Sequence, residues 1–406
     1  NTIERIINIM QELLIDVKEN QKNILLVENG KLIERYIEEQ GQDRLEGDIY
    51  LGIVKDVLPG MQAAFVDIGK EKNTFIHIRD VIPKVSDETG NKNEDFTNYN
   101  IRDYLKEGES ILVQVKKDST NKKGARISAH LSIPGRFVVI MPGEKFVTIS
   151  QKIEDEQERK RLKEIVNKYI PEEMGAIIRT AAIGKTEEDI IEDLTKTIEK
   201  YKKIEEAFKT EVKKVNSIKP KILYKSENII QRILTDLMDQ DLNRIIINSS
   251  EIYEEIKEKL KEENKKIKVD LQENILDMYN LKKQLEELEN RKVWLKCGGF
   301  ITIDKTEALT AIDVNSGKYT GKKDLEQTIF TVNKEATIEI AKQLRLRDIG
   351  GIIIIDYIDM KEEGNENKII ELFKEQLKKD RSKTQIVGFS KLNLLEMTRK
   401  HMCSND

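Results

Sequence analysis

Alternating apolar and polar residues dominate the first third of the chain and predict β-strands. Apolar runs at 24–27 and 32–37 flank an Asn-Gly pair, which is typical of a β-hairpin. Short alternating segments follow at 48–55, 63–68, 74–78, 110–117 and 125–129. So many short strands with turn residues between them predict a small closed barrel. The polar stretch 86–100 is expected to be a long loop within it.

Helical periodicity alternates with short apolar runs in the rest of the chain. We predict helices at 151–166, 187–214, 227–238, 251–263, 274–290, 325–346 and 367–379. We predict strands at 174–182, 222–224, 244–247, 267–271, 300–304, 309–313, 352–356 and 384–388. The strands between residues 220 and 271 are expected to share one sheet with the N-terminal hairpin. The pattern as a whole indicates an α/β, multidomain protein.

Two of the predicted strands end in an aspartate, Asp313 and Asp356, and a long helical segment separates them. A strand-helix-strand crossover lays two strands side by side in the same direction. Both carboxylates would then emerge at one edge of the sheet, where open α/β folds bind ligands. With the amide of Asn315 they form an oxygen-rich set suited to Mg²⁺. This pattern favours a metal-dependent phosphodiester hydrolase, in which the ion activates water.

A plainer interpretation of each motif stays open. Asp, Asn, Ser and Gly are common turn residues, so Asp313 and Asn315 could simply end a strand. Phe65 and Phe75 on the predicted barrel could be core residues, or exposed rings that stack a base. Arg179 beside Thr180 suits a terminal phosphate, but the pair is a weak signal alone.

Composition narrows the class of protein. The 406 residues predict several structural units, and 38% hydrophobic with 35% charged residues is typical of a soluble protein. A net charge of -4 excludes a uniformly basic coat but not local basic grooves. The two cysteines, Cys297 and Cys403, have no paired metal spacing, which favours a reducing, cytoplasmic setting. No signal peptide or membrane-spanning segment is predicted, and the missing initial Met is typical of a piece of a longer chain.

Several segments together resemble the ribonuclease E/G family of bacterial endoribonucleases. The resemblance is carried by the runs EALTAIDVNS at 307–316, AKQLRLRDIGG at 341–351, IDYIDM at 355–360 and LLEMTR at 394–399. It extends through DIYLGIV at 48–54, AAFVDIG at 63–69 and IIRTAAIGK at 177–185. It therefore covers nearly the whole chain.

The resemblance implies a particular domain organisation. An RNase H-like scaffold (1–45 and 218–290) would carry an inserted OB-fold RNA-binding barrel (46–132). A 5′-sensor subdomain (133–217) and a DNase I-like catalytic subdomain (291–406) would complete the chain.

It also implies the roles of individual residues. Asp313 and Asp356 would hold Mg²⁺, with Mn²⁺ as the alternative, and Asn315 would support them. The 5′-monophosphate would be bound by four residues: Gly135, Val139, Arg179 and Thr180. Single-stranded RNA would be contacted by Phe65, Phe75 and Lys123. We expect Arg345 and Arg347, which precede the second aspartate strand, to contact phosphates as well.

The implied activity is Mg²⁺-dependent cleavage of single-stranded, A/U-rich RNA to 5′-phosphate and 3′-hydroxyl ends, in rRNA and mRNA processing or decay. Family members usually continue into a Cys-x-x-Cys zinc link between two protomers. Here Cys403 has no partner at that spacing, so we expect no structural zinc site, and a homodimer through the catalytic subdomain stays open. The competing hypotheses are a non-catalytic RNA-binding factor in ribosome assembly and, more weakly, a DNA nuclease. No membrane partner is expected.

Overall fold

The computed structural model describes residues 10–39, 44–82, 99–119, 124–214, 218–238, 242–263, 265–317, 325–362 and 364–402. The first strands are β1 (Gln11–Val17), β2 (Gln21–Glu28), β3 (Lys31–Glu39), β4 (Ile49–Leu58), β5 (Ala63–Asp67), β6 (Thr74–His77), β7 (Ser110–Lys117) and β8 (Arg126–Ser128). The middle of the chain forms β9 (Ile133–Pro134), β10 (Val138–Pro142), β11 (Val147–Ile149), α1 (Glu156–Tyr169), β12 (Met174–Ile178) and α2 (Glu187–Val212).

The remaining elements alternate between strand and helix. They are β13 (Lys221–Tyr224), α3 (Ile229–Leu237), β14 (Leu242–Ile247), α4 (Ser250–Glu262), β15 (Lys268–Leu271), α5 (Leu281–Glu287), β16 (Lys292–Trp294), β17 (Phe300–Lys305), β18 (Thr310–Asn315), α6 (Leu325–Leu346), β19 (Gly351–Asp356), α7 (Asn365–Leu377), β20 (Thr384–Phe389) and β21 (Leu394–Arg399). The chain is therefore a mixed α/β protein, as predicted.

The chain divides into two compact units, one of residues 1–42 and 240–405 and the other of residues 43–239. The first unit holds a five-stranded sheet in the order β15-β14-β1-β2-β3. The hairpin of β2 and β3 and the later strands β14 and β15 thus share one sheet, as the sequence predicts. They are joined through β1, which the pattern of the sequence did not predict.

The first unit also holds a six-stranded sheet in the order β16-β17-β18-β19-β21-β20. One face of this sheet packs on α6 and α7. Its core includes Ile312, Val332, Ile355 and Phe373, all at most 1% exposed. Because side chains alternate along a strand, the neighbours of these strand residues point to the other face.

The second unit contains a closed barrel of the five strands β4, β5, β6, β8 and β7, in which β4 pairs with both β5 and β7. The predicted barrel is therefore confirmed, and its interior is filled by residues such as Val66, Ile76 and Val113. A second, four-stranded sheet in the order β11-β12-β10-β9 packs against α1 and α2.

Two predictions of the sequence pattern are wrong. The strand at 222–224 forms as β13, but it pairs with β4 of the barrel rather than with the N-terminal hairpin. The single helix at 274–290 is replaced by a short turn of helix and by α5, because Asn274, Tyr279 and Asn280 have left-handed backbone angles that an α-helix cannot contain. The predicted loop at 86–100 lies almost entirely outside the described residues.

Across the described ranges, no helix combines the length and the apolar character that crossing a membrane requires.

Candidate active site

Asp313 and Asp356 lie directly beside each other. Strands β18 and β19 pair in parallel, and the last residue of β19, Asp356, is the register partner of Asp313. Neighbouring strands are about 4.8 Å apart. The predicted side-by-side, parallel arrangement of the two aspartate strands is therefore confirmed.

The alternation of side chains explains why both carboxylates are accessible. Ile312 and Val314, on either side of Asp313, are buried under α6, and so is Ile355 beside Asp356. Both aspartates consequently point to the opposite face of the sheet, where they are exposed. A strand-ending turn would not by itself require two carboxylates in register on an open face.

Asn315 supports the first of these carboxylates. Its Nδ2 donates a hydrogen bond to Oδ2 of Asp313 at 2.6 Å, which fixes the orientation of the carboxylate. Asp359 lies three residues beyond Asp356 and accepts a hydrogen bond from Nδ2 of Asn393 at 3.4 Å. Asp359 is thus an outer neighbour of the pair rather than a partner in the strand register.

The charges of this site repel one another. Partial burial raises the pKa of the Asp356 carboxyl, and the negative charges of Asp313 and Asp359 raise it further. A cationic group on the same sheet, Arg291, forms an ion pair with Asp304, and Asp313 also contributes to raising the pKa of Arg291. A cation bound between these carboxylates would offset their mutual repulsion.

The donor set fits a hard divalent cation. Two carboxylates in register and one amide supply oxygen ligands, and Mg²⁺ normally keeps several waters beside one or two carboxylates. Among the described residues, no group of three or more His, Cys, Asp or Glu side chains is arranged around a metal position. An ion held here would therefore be bound mainly by Asp313, Asp356 and water, as Mg²⁺ sites commonly are.

The chain that follows Asp356 is anchored to α6 by residues that the sequence pattern did not single out. Asn333 is fully buried, and its Nδ2 donates to the carbonyl of Ile358 at 2.8 Å. Its Oδ1 accepts from the backbone N–H of Ile358 at 3.2 Å. The hydroxyl of Tyr357 is hydrogen-bonded to Thr337 at 2.9 Å. These contacts hold the end of β19 in place.

The sequence contains one indication of this anchor, which is a polar residue at a buried position of a helix. Asn333 falls on the apolar stripe of α6, where a polar side chain needs a partner. The sequence does not say which backbone group that partner is, so the role of Asn333 became visible only in the structure.

Phe65 and Phe75 come together on the outside of the barrel. They are register partners on β5 and β6, and their ring centroids are 6.3 Å apart in an edge-to-face arrangement. Both rings are half-buried, whereas their neighbours Val66 and Ile76 fill the barrel interior. The rings are therefore not core residues. Lys123, predicted to contact RNA beside them, lies outside the described residues.

The predicted phosphate-binding residues lie on or beside the paired strands β10 and β12. Arg179 follows β12, and its Nη1 donates to the carbonyl of Gly135 at 3.0 Å. Val139 on β10 pairs with Ile177, and Thr180 begins the turn after Arg179. In this structure Nη2 of Arg179 also donates to Oδ1 of Asp236 at 2.8 Å. A phosphate reaching Arg179 would compete with that carboxylate.

Gly135 has a steric reason to be glycine. A Cβ at this position would approach Oγ1 of Thr197 to 2.4 Å and Oδ2 of Asp193 to 2.7 Å. Asp193 lies this close because its carboxylate accepts hydrogen bonds from the backbone N–H groups of residues 136, 137 and 138, at 2.8, 2.8 and 3.0 Å. The loop between β9 and β10 is thereby tied to α2.

Arg345 and Arg347 lie away from the carboxylates. They are at the C-terminal end of α6, next to the beginning of β19, whereas Asp356 ends that strand. Six residues of strand span roughly 16 Å. Arg347 is hydrogen-bonded to Gln343 at 2.7 Å and to the carbonyl of Asn290 at 2.9 Å. These contacts favour a structural role for Arg347, and the predicted phosphate contacts stay untested.

Comparison with known proteins places this geometry in a family. A model of the ribonuclease E/G family matches residues 132–402, well over half of the chain, and covers both aspartate strands and the Arg179 region. The chain therefore belongs to the ribonuclease E/G family.

Individual relatives are similar over almost the entire chain. Ribonuclease G of Salmonella typhimurium is 40% identical over 401 residues, which are 96% of this chain and 79% of the relative. Ribonuclease G of Escherichia coli K12 gives the same values. Ribonuclease E of Nostoc sp. is 36% identical over 400 residues, which are 95% of this chain and 56% of that longer protein.

Proposed function

We propose that this protein is a Mg²⁺-dependent endoribonuclease that cleaves single-stranded, A/U-rich RNA to 5′-phosphate and 3′-hydroxyl ends. The observation that carries the proposal is the exposed, in-register pair of Asp313 and Asp356. Membership of the ribonuclease E/G family and relatives named ribonuclease G and ribonuclease E support the substrate class. The corresponding cellular role would be rRNA and mRNA processing or decay in the cytoplasm.

The two aspartates would hold Mg²⁺, or Mn²⁺, at the end of the paired strands. When bound, the ion supplies charge neutralisation at a phosphate oxygen and a more acidic water. Asn315 keeps the Asp313 carboxylate oriented through its 2.6 Å hydrogen bond. Asn333 fixes the segment after Asp356 and so limits the movement of the second carboxylate. The protein's part in catalysis would thus be to preorganise the oxygen ligands.

The second unit would bind the RNA strand. The paired rings of Phe65 and Phe75 offer surfaces on which bases stack, a sequence-tolerant interaction. Basic residues Lys116, Lys117 and Arg126 line a cavity of about 370 Å³ on the same barrel, together with Asp80, which is the ion-pair partner of Arg126. They would attract the phosphate backbone. Lys123, which lies outside the described residues, stays a predicted RNA contact.

Arg179, Thr180, Gly135 and Val139 would form a pocket for a 5′-monophosphate. The guanidinium of Arg179 presents several donors in a fixed plane, which suits a phosphate. Its present partner Asp236 is a carboxylate, so the site already holds an anionic group opposite the arginine.

The family also suggests names for the parts of the fold. The barrel would be an OB fold (46–132), the β9–β12 sheet with its helices a 5′-sensor (133–217), the β1–β3 sheet an RNase H-like scaffold (1–45 and 218–290), and the β16–β21 sheet a DNase I-like catalytic subdomain (291–406). Strand β13 departs from this division because it pairs with the barrel.

One experiment separates the enzyme from an RNA-binding factor in ribosome assembly. A labelled A/U-rich oligoribonucleotide is incubated with the protein in Mg²⁺ or in EDTA, and the products are separated on a gel. We expect shortening only in Mg²⁺, and none with Asp313→Asn, which should still bind the RNA. Binding without cleavage by the unmodified chain would favour the binding factor. Cleavage of the matching deoxyribonucleotide would instead favour a DNA nuclease.

A further inference from the structure

An exposed aromatic group lies at one side of the β16–β21 sheet, which carries Asp313 and Asp356 and is called the catalytic sheet below. Trp294 on β16 and Phe300 on β17 are register partners, with ring centroids 5.4 Å apart in an edge-to-face arrangement. The ammonium of Lys292 lies 4.1 Å from the Trp294 ring centroid and 3.4 Å from that of Phe300. Trp294 nevertheless remains 62% exposed. We call these three residues the aromatic edge.

The aromatic edge faces the same side of the sheet as the two carboxylates. Lys292 pairs with Thr302, and Thr302 pairs with Asp313. In the adjacent row, Phe300 pairs with Asn315. Directly paired residues share a face of the sheet. The series Lys292, Thr302, Asp313 and the series Trp294, Phe300, Asn315 therefore both run across the sheet to the candidate site. Two strand spacings separate Lys292 from Asp313, which is about 10 Å.

Packing in the hydrophobic core does not explain why a tryptophan stands at position 294. Its neighbour Val293 points to the other face and packs against the hydrophobic core, which is what a strand residue needs to anchor β16. A large aromatic side chain that is mostly exposed contributes little to the core and is typical of a contact surface. A cation held beside two rings adds charge complementarity to a polyanion.

We propose that the aromatic edge is a base-stacking subsite for the RNA substrate, one that holds a nucleotide close to the bond cleaved at Asp313 and Asp356. Trp294 stacks the base, Phe300 supports the indole from the side, and Lys292 neutralises the adjoining phosphate. This inference rests on the proposed ribonuclease function. It adds a contact on the catalytic sheet itself, separate from the rings of the barrel.

The composition of the edge favours RNA over a second copy of the chain as its occupant. Lys292 is exposed and would be costly to bury in an interface without a carboxylate partner. A single strand, in contrast, presents flat bases and a phosphate within one nucleotide. Stacking of this kind accepts any base, so the subsite would position the strand rather than read its sequence.

Trp294 is the only tryptophan of the chain, which makes the test direct. Asp313→Asn protein is titrated with an A/U-rich oligoribonucleotide in Mg²⁺, and tryptophan fluorescence is recorded beside the anisotropy of a label on the RNA. We expect the indole emission to be quenched as the anisotropy rises. An abasic site moved along the oligonucleotide should abolish the quenching at one position near the cleaved bond.

Substitutions give an independent measurement. In the same background, Trp294→Ala should weaken RNA binding by about fivefold to a hundredfold, whereas Trp294→Phe should retain most of it. Lys292→Gln should make the slope of log affinity against log salt concentration less steep, by about the amount expected for one lost phosphate contact. The matched control is Val387→Ala on β20, an exposed apolar residue of the same sheet, which should bind normally.

The outcomes separate this subsite from the ribonuclease proposal. RNA binding with unchanged tryptophan emission, or with unchanged affinity in Trp294→Ala, would overturn the subsite and leave the ribonuclease proposal standing. Emission that changes with protein concentration in the absence of RNA would identify an interface between copies and would also overturn it. If the unmodified chain neither binds nor cleaves RNA, both proposals fall.

Discussion

Asp356 is the direct register partner of Asp313, and the two carboxylates share an exposed face of one sheet. Partial burial raises the pKa of the Asp356 carboxyl, and the nearby negative charges of Asp313 and Asp359 raise it further. The folded chain therefore maintains an unfavourable arrangement that a bound cation would relieve. This is typical of a site selected for binding rather than for stability.

The effect of the Asp356 charge on the stability of the fold can be measured in metal-free protein. A carboxyl whose pKa is raised on folding binds its proton more tightly in the folded state, so its contribution to stability is lost as the pH rises through the raised pKa. We therefore expect Asp356→Asn to raise the melting temperature at pH 7 in EDTA, and to leave it nearly unchanged well below pH 4. Thermal unfolding followed by circular dichroism measures both. Equal effects at the two pH values would contradict the electrostatic explanation.

Asp359 contributes to the same raised pKa and provides a second variant. Asp359→Asn removes one negative charge, so the pKa of Asp356 should fall towards its ordinary range. If Asp356 holds Mg²⁺ as proposed, the apparent Mg²⁺ affinity should decrease as this carboxyl is protonated at low pH. In this variant we expect that decrease to begin at a lower pH than in the unmodified chain, as measured by calorimetric titration of Mg²⁺. A shift to higher pH would be inconsistent with this assignment.

Removing the anchor at Asn333 should affect both stability and catalysis. Asn333→Ala leaves the backbone N–H and C=O of Ile358 without their partner, which should cost about 1–3 kcal/mol of unfolding free energy. Because the end of β19 is then less constrained, we expect kcat to fall more than KM changes. Ile338→Ala, at an exposed position of the same helix, is the control and should alter neither. A stability loss with unchanged kcat would leave Asn333 a purely structural role.

The rings on the barrel should contribute to RNA affinity and not to chemistry. Phe65→Ala and Phe75→Ala should each weaken RNA binding by roughly fivefold to a hundredfold, as loss of one stacked base predicts. The rate at saturating RNA should change little. Met61→Ala, which truncates an exposed apolar residue of the same barrel, serves as the comparison. Fluorescence anisotropy gives the affinities, and single-turnover cleavage gives the rate.

Asp236 should limit the response to a 5′-phosphate. Asp236→Asn weakens the competing partner of Arg179, so the preference for 5′-monophosphorylated over 5′-hydroxyl RNA should increase by about twofold to fivefold. Arg179→Gln should abolish the preference. The ratio of kcat/KM for the two substrates measures it. An unchanged ratio in both variants would remove the sensor role from this pocket.

Much of the β16–β21 sheet could be predicted because its signals are local. The apolar runs before Asp313 and Asp356 and the long helical segment between them are strong patterns, and α6 has the predicted bounds. Strand β16 was missed because three residues carry too little periodicity. Without β16, the pairing of Trp294 with Phe300 could not be deduced.

Tertiary contacts explain the helix at 274–290 that does not form. Tyr279 adopts a left-handed backbone conformation, and its ring packs against Gly30 of the N-terminal hairpin, where an added Cβ would lie 3.2 Å from Cδ1 of the tyrosine. Helical composition does not report such a long-range contact. The ion pair of Arg179 with Asp236 is likewise invisible in a sequence that separates the two residues by 57 positions.

The Asp193 carboxylate has a consequence for the selectivity of the neighbouring pocket. Loops that follow a strand often bind anions through their backbone N–H groups. Here the N–H groups of residues 136, 137 and 138 already donate hydrogen bonds to the Asp193 carboxylate. If an RNA end binds at this loop, it would therefore have to use other groups of the proposed pocket, such as Arg179 and Thr180, close to the fixed negative charge of Asp193. Such a pocket would tolerate one terminal phosphoryl group far better than a chain of three.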